Sequence, residues 1–279
     1  MEYPPQHHFF RDLRLCLTFL GRGQAVMRAP VVPEILTPDG SLQVGAVAAM
    51  IDVLAGALTA RAVYPDWMAT VSLSVHLAGR PTCDTIAATG KVIRAGRTMA
   101  ITDVDIGEEG GDPGGPRNSI GTGLVTFSRR SRKESLPAFE PDLEASETVD
   151  FGIEGSGLKE SFRDAAGVRA LDEGAGAVEL DLQEYVRNSV GVLQGGMIAL
   201  LADAAGEMAA GSAVGKPVAS KDLAIQYLSQ GKKGPFRTRV RVIRTTDNTA
   251  LTRIEVIDRG MEDCLIAVIM NTAVAKSKG

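Results

Sequence analysis

The chain has 279 residues and a mass of 29.4 kDa, room for two small domains or one large one at roughly 150 residues per domain. Its 44% hydrophobic and 23% charged content reads as an ordinary soluble globular protein, and 30 Lys and Arg against 34 Asp and Glu leave a formal charge of -4, which excludes the basic footprint of a nucleic-acid binder and any strong pull toward an anionic membrane. Three scattered Cys without a CxxC exclude a disulfide framework or thiolate zinc site, and three His, of which only His76 lies in the body of the chain, exclude His-rich metal chemistry and a His-dependent hydrolase.

Taken in chain order, two short strands are predicted first, over 14–20 and 24–29. A helix follows over 44–62, rich in Ala, Leu and Met and apolar nearly all round, which predicts burial. Strands are then expected over 70–77, 85–95, 98–106 and 121–128, with Gly96-Arg97 as the turn between the middle pair. The glycine-rich stretch 107–116 carries neither GxGxxG nor GxxxxGK[ST], so it reads as a mobile hairpin tip and not as a phosphate loop. Residues 129–157 show no apolar period, hold a basic cluster, Pro137 and Pro141, and read as a linker. At roughly 3.3 Å per extended residue it is long enough to cross a whole domain. Beyond it the pattern repeats: strands over 168–171 and 177–182, a helix over 195–212, then strands over 221–228, 236–244, 249–258 and 264–275, with a turn at Asp247-Asn248.

The repeat is visible residue by residue. Val92-Ile93-Arg94 recurs as Val242-Ile243-Arg244, and Leu73-Ser74-Val75 maps on Leu223-Ala224-Ile225, both 150 positions apart. Leu42-Gln43-Val44-Gly45 maps on Leu193-Gln194-Gly195-Gly196, and Asp52 on Asp203, at an offset of 151. Two copies of one unit is the reading, because a solenoid needs at least about three repeats. No targeting signal is recognised: the first apolar stretch, 13–20, contains Arg14, and the longest apolar run, 44–58, is interrupted by Asp52 and is judged unable to span a bilayer. A cytoplasmic protein without a membrane span is expected.

An acid in the middle of a buried helix is unusual, since Asp is a poor helix former and is rarely buried without a partner. A single such Asp reads as a cap or a polar staple. Here Asp52 and Asp203 recur at equivalent positions, each nine residues after a Gln (Gln43 and Gln194) at the helix start, and that doubling favours function. The second helix opens on Gly195-Gly196, where free N–H groups and the positive end of the helix dipole suit an anion or a developing oxyanion. His76 aligns with Gln226 and reads as a structural strand residue, and Ser156 lacks a GxSxG elbow.

Together, Asn188, Gly191, Gly195, Gly196 and Asp203, followed by Ser220, Asp222 and Leu223, resemble the pattern Asn-x2-Gly-x2-(His)-Gly-Gly-x6-Asp plus Ser/Thr-x-Asp-Leu of hotdog-fold acyl-CoA thioesterases of the PaaI type. The second copy departs from it at Gln194, where His is common. The first copy keeps Gly40, Gln43, Gly45 and Asp52, with Thr37 for the Asn, Val44 for the first Gly of the pair and Thr70 for the Ser. The resemblance covers about 100 residues in each half.

The resemblance implies an α+β fold of two tandem hotdog domains, over 1–128 and 158–279 with the linker 129–157 between them, each a long central helix wrapped by a curved antiparallel sheet, forming an intramolecular pseudo-dimer. It implies composite sites. One would combine Asn188, Gln194 and Gly195 with Asp52 and Thr70; the other would combine Thr37, Gln43 and Val44 with Asp203 and Ser220. Gly196 and Gln43 would help to bind substrate, and the cations Arg94, Arg97 and Arg244, with Lys232-Lys233, are candidates for the CoA phosphates. The expected reaction is hydrolysis of an acyl-CoA thioester, with the Gly195 N–H polarising the carbonyl and an Asp attacking or activating water. No metal and no cofactor beyond the CoA of the substrate is expected, no nucleic acid or membrane partner, and a homodimer of tandem chains. A thiolate leaves with little acid assistance, its pKa being near 8.5, so scarcity of His does not exclude this chemistry. The alternative is a non-catalytic acyl-CoA or lipid-binding module of the same fold, suggested by Gln194 and the partly degraded first copy. A hydratase ranks last, because no His lies near either helix.

Overall fold

The computed structural model describes residues 3–21, 23–110, 116–132, 140–141 and 146–275. The first half forms α1 (Phe9–Asp12), β1 (Cys16–Gly21), β2 (Gln24–Pro30), α2 (Val44–Val63), β3 (Trp67–Leu77), β4 (Thr85–Ala95), β5 (Met99–Glu108), β6 (Arg117–Arg130) and β7 (Glu147–Asp150). The second forms α3 (Phe162–Ala165), β8 (Arg169–Asp172), β9 (Ala177–Leu180), α4 (Gly195–Val214), β10 (Val218–Tyr227), β11 (Phe236–Thr245), β12 (Thr249–Asp258) and β13 (Cys264–Ala275). Local chemistry sets several boundaries. The residue before a proline is disfavoured in helix, and α2 ends on Tyr64, which precedes Pro65 and has extended ψ. The α4 helix ends on Gly215 at φ +71°, a left-handed conformation natural to glycine, with its N–H bonded to the Gly211 carbonyl.

The strands form one antiparallel sheet of 13 strands among the described residues, in the order β7-β1-β2-β4-β5-β6-β3-β10-β13-β12-β11-β9-β8. Apart from β7 this order reads the same from both ends once each strand is replaced by its counterpart in the other copy. The halves join where β3 pairs with β10, from His76 with Asp222 to Ser72 with Gln226. At the centre of that ladder Ser74 faces Ala224, the two residues that the 150-residue repeat equates.

Three expectations change. The segment 129–157 is not wholly linker, because Glu147 to Asp150 add an edge strand to β1, pairing with Phe19 to Cys16. No apolar period marked this strand, since an edge strand with solvent on both faces needs none. The first hairpin turn is centred on Arg97-Thr98, one residue later than expected, since Gly96 N–H bonds the Met99 carbonyl; Asp247-Asn248 does sit between Thr246 N–H and the Thr249 carbonyl. The α2 helix continues past Asp52 to Val63, and α2 and α4, each of 20 residues, are long and apolar enough by length and composition to cross a membrane. The exclusion drawn from the 44–58 run therefore fails on that criterion. In this fold 78% and 67% of their most apolar stretches are buried inside the protein. Residues 111–115 of the glycine-rich tip and 133–139 and 142–145 of the expected linker lie outside the described residues; β5 and β6 extend toward the tip, to Glu108 and from Arg117.

The two helices cross at their first turns. A Cβ on Gly196 would stand 2.3 Å from the Ala49 Cα, and a Cβ on Gly45 would stand 2.7 Å from the Leu200 Cα. Gly45 and Gly196 are repeat counterparts, as are Ala49 and Leu200. Each helix thus lays the glycine at its second residue on the sixth residue of the other, at a separation only glycine permits. Replacement Gly196→Ala should lower stability by about 1–3 kcal/mol through overpacking against backbone, read by urea denaturation. Gly56→Ala in α2, where the nearest atom to the new methyl is the Met68 Cε at 3.8 Å, should be neutral or stabilising, since Ala is the better helix former by about 1 kcal/mol.

Candidate active site

The crossing carries each helix's aspartate to the start of the other helix. A Cβ on Gly195 would lie 2.8 Å from the Asp52 Oδ2, and one on Gly45 would lie 3.1 Å from the Asp203 Oδ2. Both acids are buried.

Around Asp52 the donors are neutral. The Gln194 Nε2 donates to Oδ2 at 2.6 Å and the Thr70 hydroxyl to Oδ1 at 3.3 Å. Gln194 is also the N-cap of α4: its Oε1 accepts from Gly196 N–H at 2.6 Å and Met197 N–H at 3.3 Å. One amide therefore couples the carboxylate to the first turn of the opposite helix. Thr70 reaches the acid through a β-bulge. Its parity on β3 is that of the outward-facing Ser72 and His76, but the pairing of β3 with β6 slips between Thr70 and Ser72, and such a slip turns a side chain to the other face. Burial pushes the Asp52 carboxyl up from 3.8 to about 6, and the bonds from Thr70, Gly196 and Gln194 only partly offset it. The Gly195 N–H, at the first position of α4, has no acceptor among the described residues, and the carbonyl of Gly195 accepts the Tyr227 hydroxyl at 3.0 Å.

Around Asp203 the same crossing holds a charged partner. Oδ2 accepts the Gly45 N–H at 3.0 Å and the Arg163 Nη2 at 2.8 Å, and Arg163 Nη2 also meets the Glu207 Oε2 at 2.8 Å. Glu207 is held further by the Ser220 N–H at 2.8 Å. Burial works to lower the guanidinium's pKa, but the two carboxylates outweigh it and keep Arg163 firmly charged. Burial and then Asp203 push the Glu207 carboxyl up. The Asp203 Oδ1 is buried with no partner among the described residues.

The first predicted site thus brings together Asp52, Thr70, Gln194, Gly195 and Gly196, but not Asn188. The Asn188 Oδ1 accepts Val190 and Val192 N–H and its own N–H bonds the Val192 carbonyl, so it closes the loop ahead of α4. Thr37 does the same ahead of α2, through the Ser41 carbonyl. The second predicted site is corrected more deeply. The Gln43 amide turns away to the Glu34 and Leu36 carbonyls, both at 3.3 Å. The N–H that reaches the acid is that of Gly45, not Val44. Ser220 is turned inward by a matching bulge, yet its hydroxyl accepts from the Asn271 Nδ2 at 2.8 Å and does not donate to Asp203. Arg94, Arg97 and Arg244 lie exposed toward the ends of the β4–β5 and β11–β12 hairpins, and the side chains of Lys232 and Lys233 are exposed while their N–H groups bond Asp258. His76 is exposed on β3, and Ser156 closes a turn with Ile153.

Sequence reading missed Arg163, Glu207 and Tyr227. Glu207 carried a signal, lying one helical turn after Asp203 on the same face; Arg163 and Tyr227 are remote in sequence and carried none. Among the described residues no group of three or more His, Cys, Asp or Glu could hold a metal ion. A surface cleft of about 700 Å³ opens beside β1, β2 and the 152–156 turn, lined by none of the candidate residues.

Removing Arg163 would leave Asp203 and Glu207 buried against each other without a cation. Arg163→Met should cost about 3–5 kcal/mol, the usual penalty for breaking a buried ion pair. The loss should be larger at pH 8 than at pH 5, where Glu207 takes up a proton; urea denaturation at the two pH values measures it.

Residues 190–265 match the sequence model of the thioesterase superfamily, a span that holds Gln194, Gly195, Asp203 and Tyr227. No curated protein sequence matches the chain. Three solved structures resemble it over almost its whole length. An acyl-ACP thioesterase from Bacteroides thetaiotaomicron is 12% identical, covers 90% of this chain and 98% of its own, and superposes with a TM-score of 0.56. The tesB protein of Mycobacterium avium subsp. paratuberculosis is 10% identical over 94% and 96%, at 0.60. A hot dog fold protein from Alicyclobacillus acidocaldarius is 12% identical over 98% and 99%, at 0.59. At such identities the likeness is one of fold: the chain has the α+β hotdog fold of thioesterases, and its residues 190–265 match the thioesterase superfamily.

Proposed function

We propose that the chain is a tandem double hotdog that hydrolyses an acyl-CoA thioester at the site built on Asp52. The observation that carries this is the pairing of a buried carboxyl, poised at about 6, with the unengaged N–H of Gly195 at the start of the opposite helix. The palindromic strand order and the Ser74–Ala224 ladder centre support reading the two halves as a covalent pseudo-dimer.

In this reading the Gly195 N–H and the helix dipole polarise the thioester carbonyl. The Asp52 carboxylate takes a proton from a water molecule as the water oxygen bonds the carbonyl carbon. Collapse of the tetrahedral intermediate breaks the C–S bond, and the thiolate leaves with the electron pair, later protonated by solvent. Thr70 fixes Asp52, and Gln194 ties its position to that of the N–H. The Asp203 site does not hydrolyse: its carboxylate is engaged by a guanidinium, and its serine points elsewhere.

Asp52→Asn should abolish turnover of a panel of acyl-CoAs, followed by release of free thiol. Asp203→Asn should lower stability while leaving kcat per folded molecule within about threefold. Wild-type turnover by Asp52→Asn, or saturable CoA-ester binding by the wild type with no thiol release, would overturn the proposal; the latter result would favour a binding module. The rate should fall as pH drops below about 6, where Asp52 becomes protonated.

The same group shapes stability. A carboxyl whose folded pKa exceeds its unfolded one holds its proton more tightly in the fold. Its stabilising contribution is therefore complete below pH about 4 and is lost as pH rises through about 6. Between pH 4 and pH 8 the wild type should lose on the order of 2–3 kcal/mol relative to Asp52→Asn, measured by urea denaturation across that range.

A further inference from the structure

We propose that Tyr227 is a positioning residue for the carbonyl-polarising end of the Asp52 site, acting through its bond to the Gly195 carbonyl. The inference rests on the hydrolytic reading of that site and adds to it a residue outside the helix and outside the acid's own contacts.

Three observations converge. Tyr227 ends β10 and shares the inward face of that strand with Leu223 and Ile225, both fully buried, so the sheet aims its ring at the start of α4. Its hydroxyl donates to the Gly195 carbonyl at 3.0 Å. The next group along the chain, the Gly196 N–H, bonds the Gln194 Oε1 at 2.6 Å. The peptide between the two glycines is therefore held at both ends, by Tyr227 on its oxygen and by Gln194 on its nitrogen.

That restraint answers a specific weakness. Two successive glycines open α4 because the Asp52 carboxylate and the Ala49 backbone leave no room for side chains, and glycine gives the first turn more backbone freedom than any other residue. Left loose, the turn would carry the Gly195 N–H through a range of directions, whereas carbonyl polarisation depends on a donor fixed in advance. A carbonyl oxygen has two lone pairs, so the tyrosine bond adds to the helical one and does not compete with it. Desolvation and the nearby Asp52 hold the half-buried phenol well above its ordinary pKa; it stays a neutral donor across the working range. The first copy lacks the device: the repeat counterpart of Tyr227 is Leu77, which has no hydroxyl, and the corresponding helix opens on Val44. The restraint occurs only where the acid is free of a cation.

Tyr227→Phe removes one hydroxyl and keeps the ring. We expect kcat to fall about tenfold with KM within twofold, a fraction of the 10²–10³ lost when an oxyanion donor is deleted outright. The melting temperature should stay close to that of the wild type, and in amide NMR the Gly195 and Gly196 N–H signals should shift and the Gly196 N–H should lose exchange protection. A kcat within twofold of wild type, or a loss of activity that only follows a loss of folded protein, would overturn the role. Glycine signals unchanged from wild type would also overturn it, whatever the kinetics. Asp52→Asn separates this from the underlying reading: if it is inactive while Tyr227→Phe turns over normally, only the Tyr227 role fails, and if it is active the site itself has been misread.

Discussion

Everything in this molecule that resembles a site follows from one contact, the crossing of α2 and α4 at their first turns. Because Gly45 lies on Leu200 and Gly196 on Ala49, the helices approach closely enough for the aspartate two turns along one to touch the N-terminal turn of the other. A helix N-terminus offers unpaired N–H groups and roughly half a positive charge. It is among the few places in an apolar interior where a carboxylate can be kept. The sheet closes round this crossing and removes it from water, and that raises the energetic stakes of every donor placed there.

The two halves of the chain settle the same buried acid in different ways. At Asp203 the answer is ionic: Arg163 from α3 bridges it to Glu207. At Asp52 the answer is dipolar: an amide, a hydroxyl and the helix end, with no cation in contact among the described residues. Neutral donors cannot fully replace lost hydration, so burial pushes the carboxyl up to about 6. A carboxyl poised there can take and release a proton, and at the other crossing the Asp203 Oδ2 is occupied by the guanidinium. Two of the residues that differ stand at equivalent positions of the copies. Glu207 stands where the first copy has Gly56, and Tyr227 where it has Leu77. The frame of helix and strands occurs twice, and these side chains give the two crossings different chemistry.

Much of this was legible before any coordinates. The helices, both aspartates and the glutamine nine residues before each could be located because they repeat at a constant offset and because an acid in an apolar helix stands out against its surroundings. The pairing of Asp52 with Gln194 and Gly195 was legible only through the family resemblance. The inward turn of Thr70 and Ser220 was not, since a one-residue bulge reverses a side chain without leaving a mark in composition. The loop-closing bonds of Asn188 and Thr37 were not legible for a related reason. Short polar side chains before a helix serve equally well to close a loop, and here they do.

By itself, the amino-acid sequence determined what is local or periodic: a pattern that recurs after about 150 residues, two apolar helices, the strands that follow them, and an aspartate near the centre of each helix. It could not say which groups would meet those acids, because Arg163 lies 40 residues from Asp203, and Gln194 lies 142 from Asp52. Over such separations the approach of two groups is decided by packing of whole elements, by the glycines that let two helices touch and by the bulges that turn a strand. Only the tertiary structure therefore decided which aspartate is neutralised and which is left poised, since the energy of a buried charge depends on the few ångströms around it.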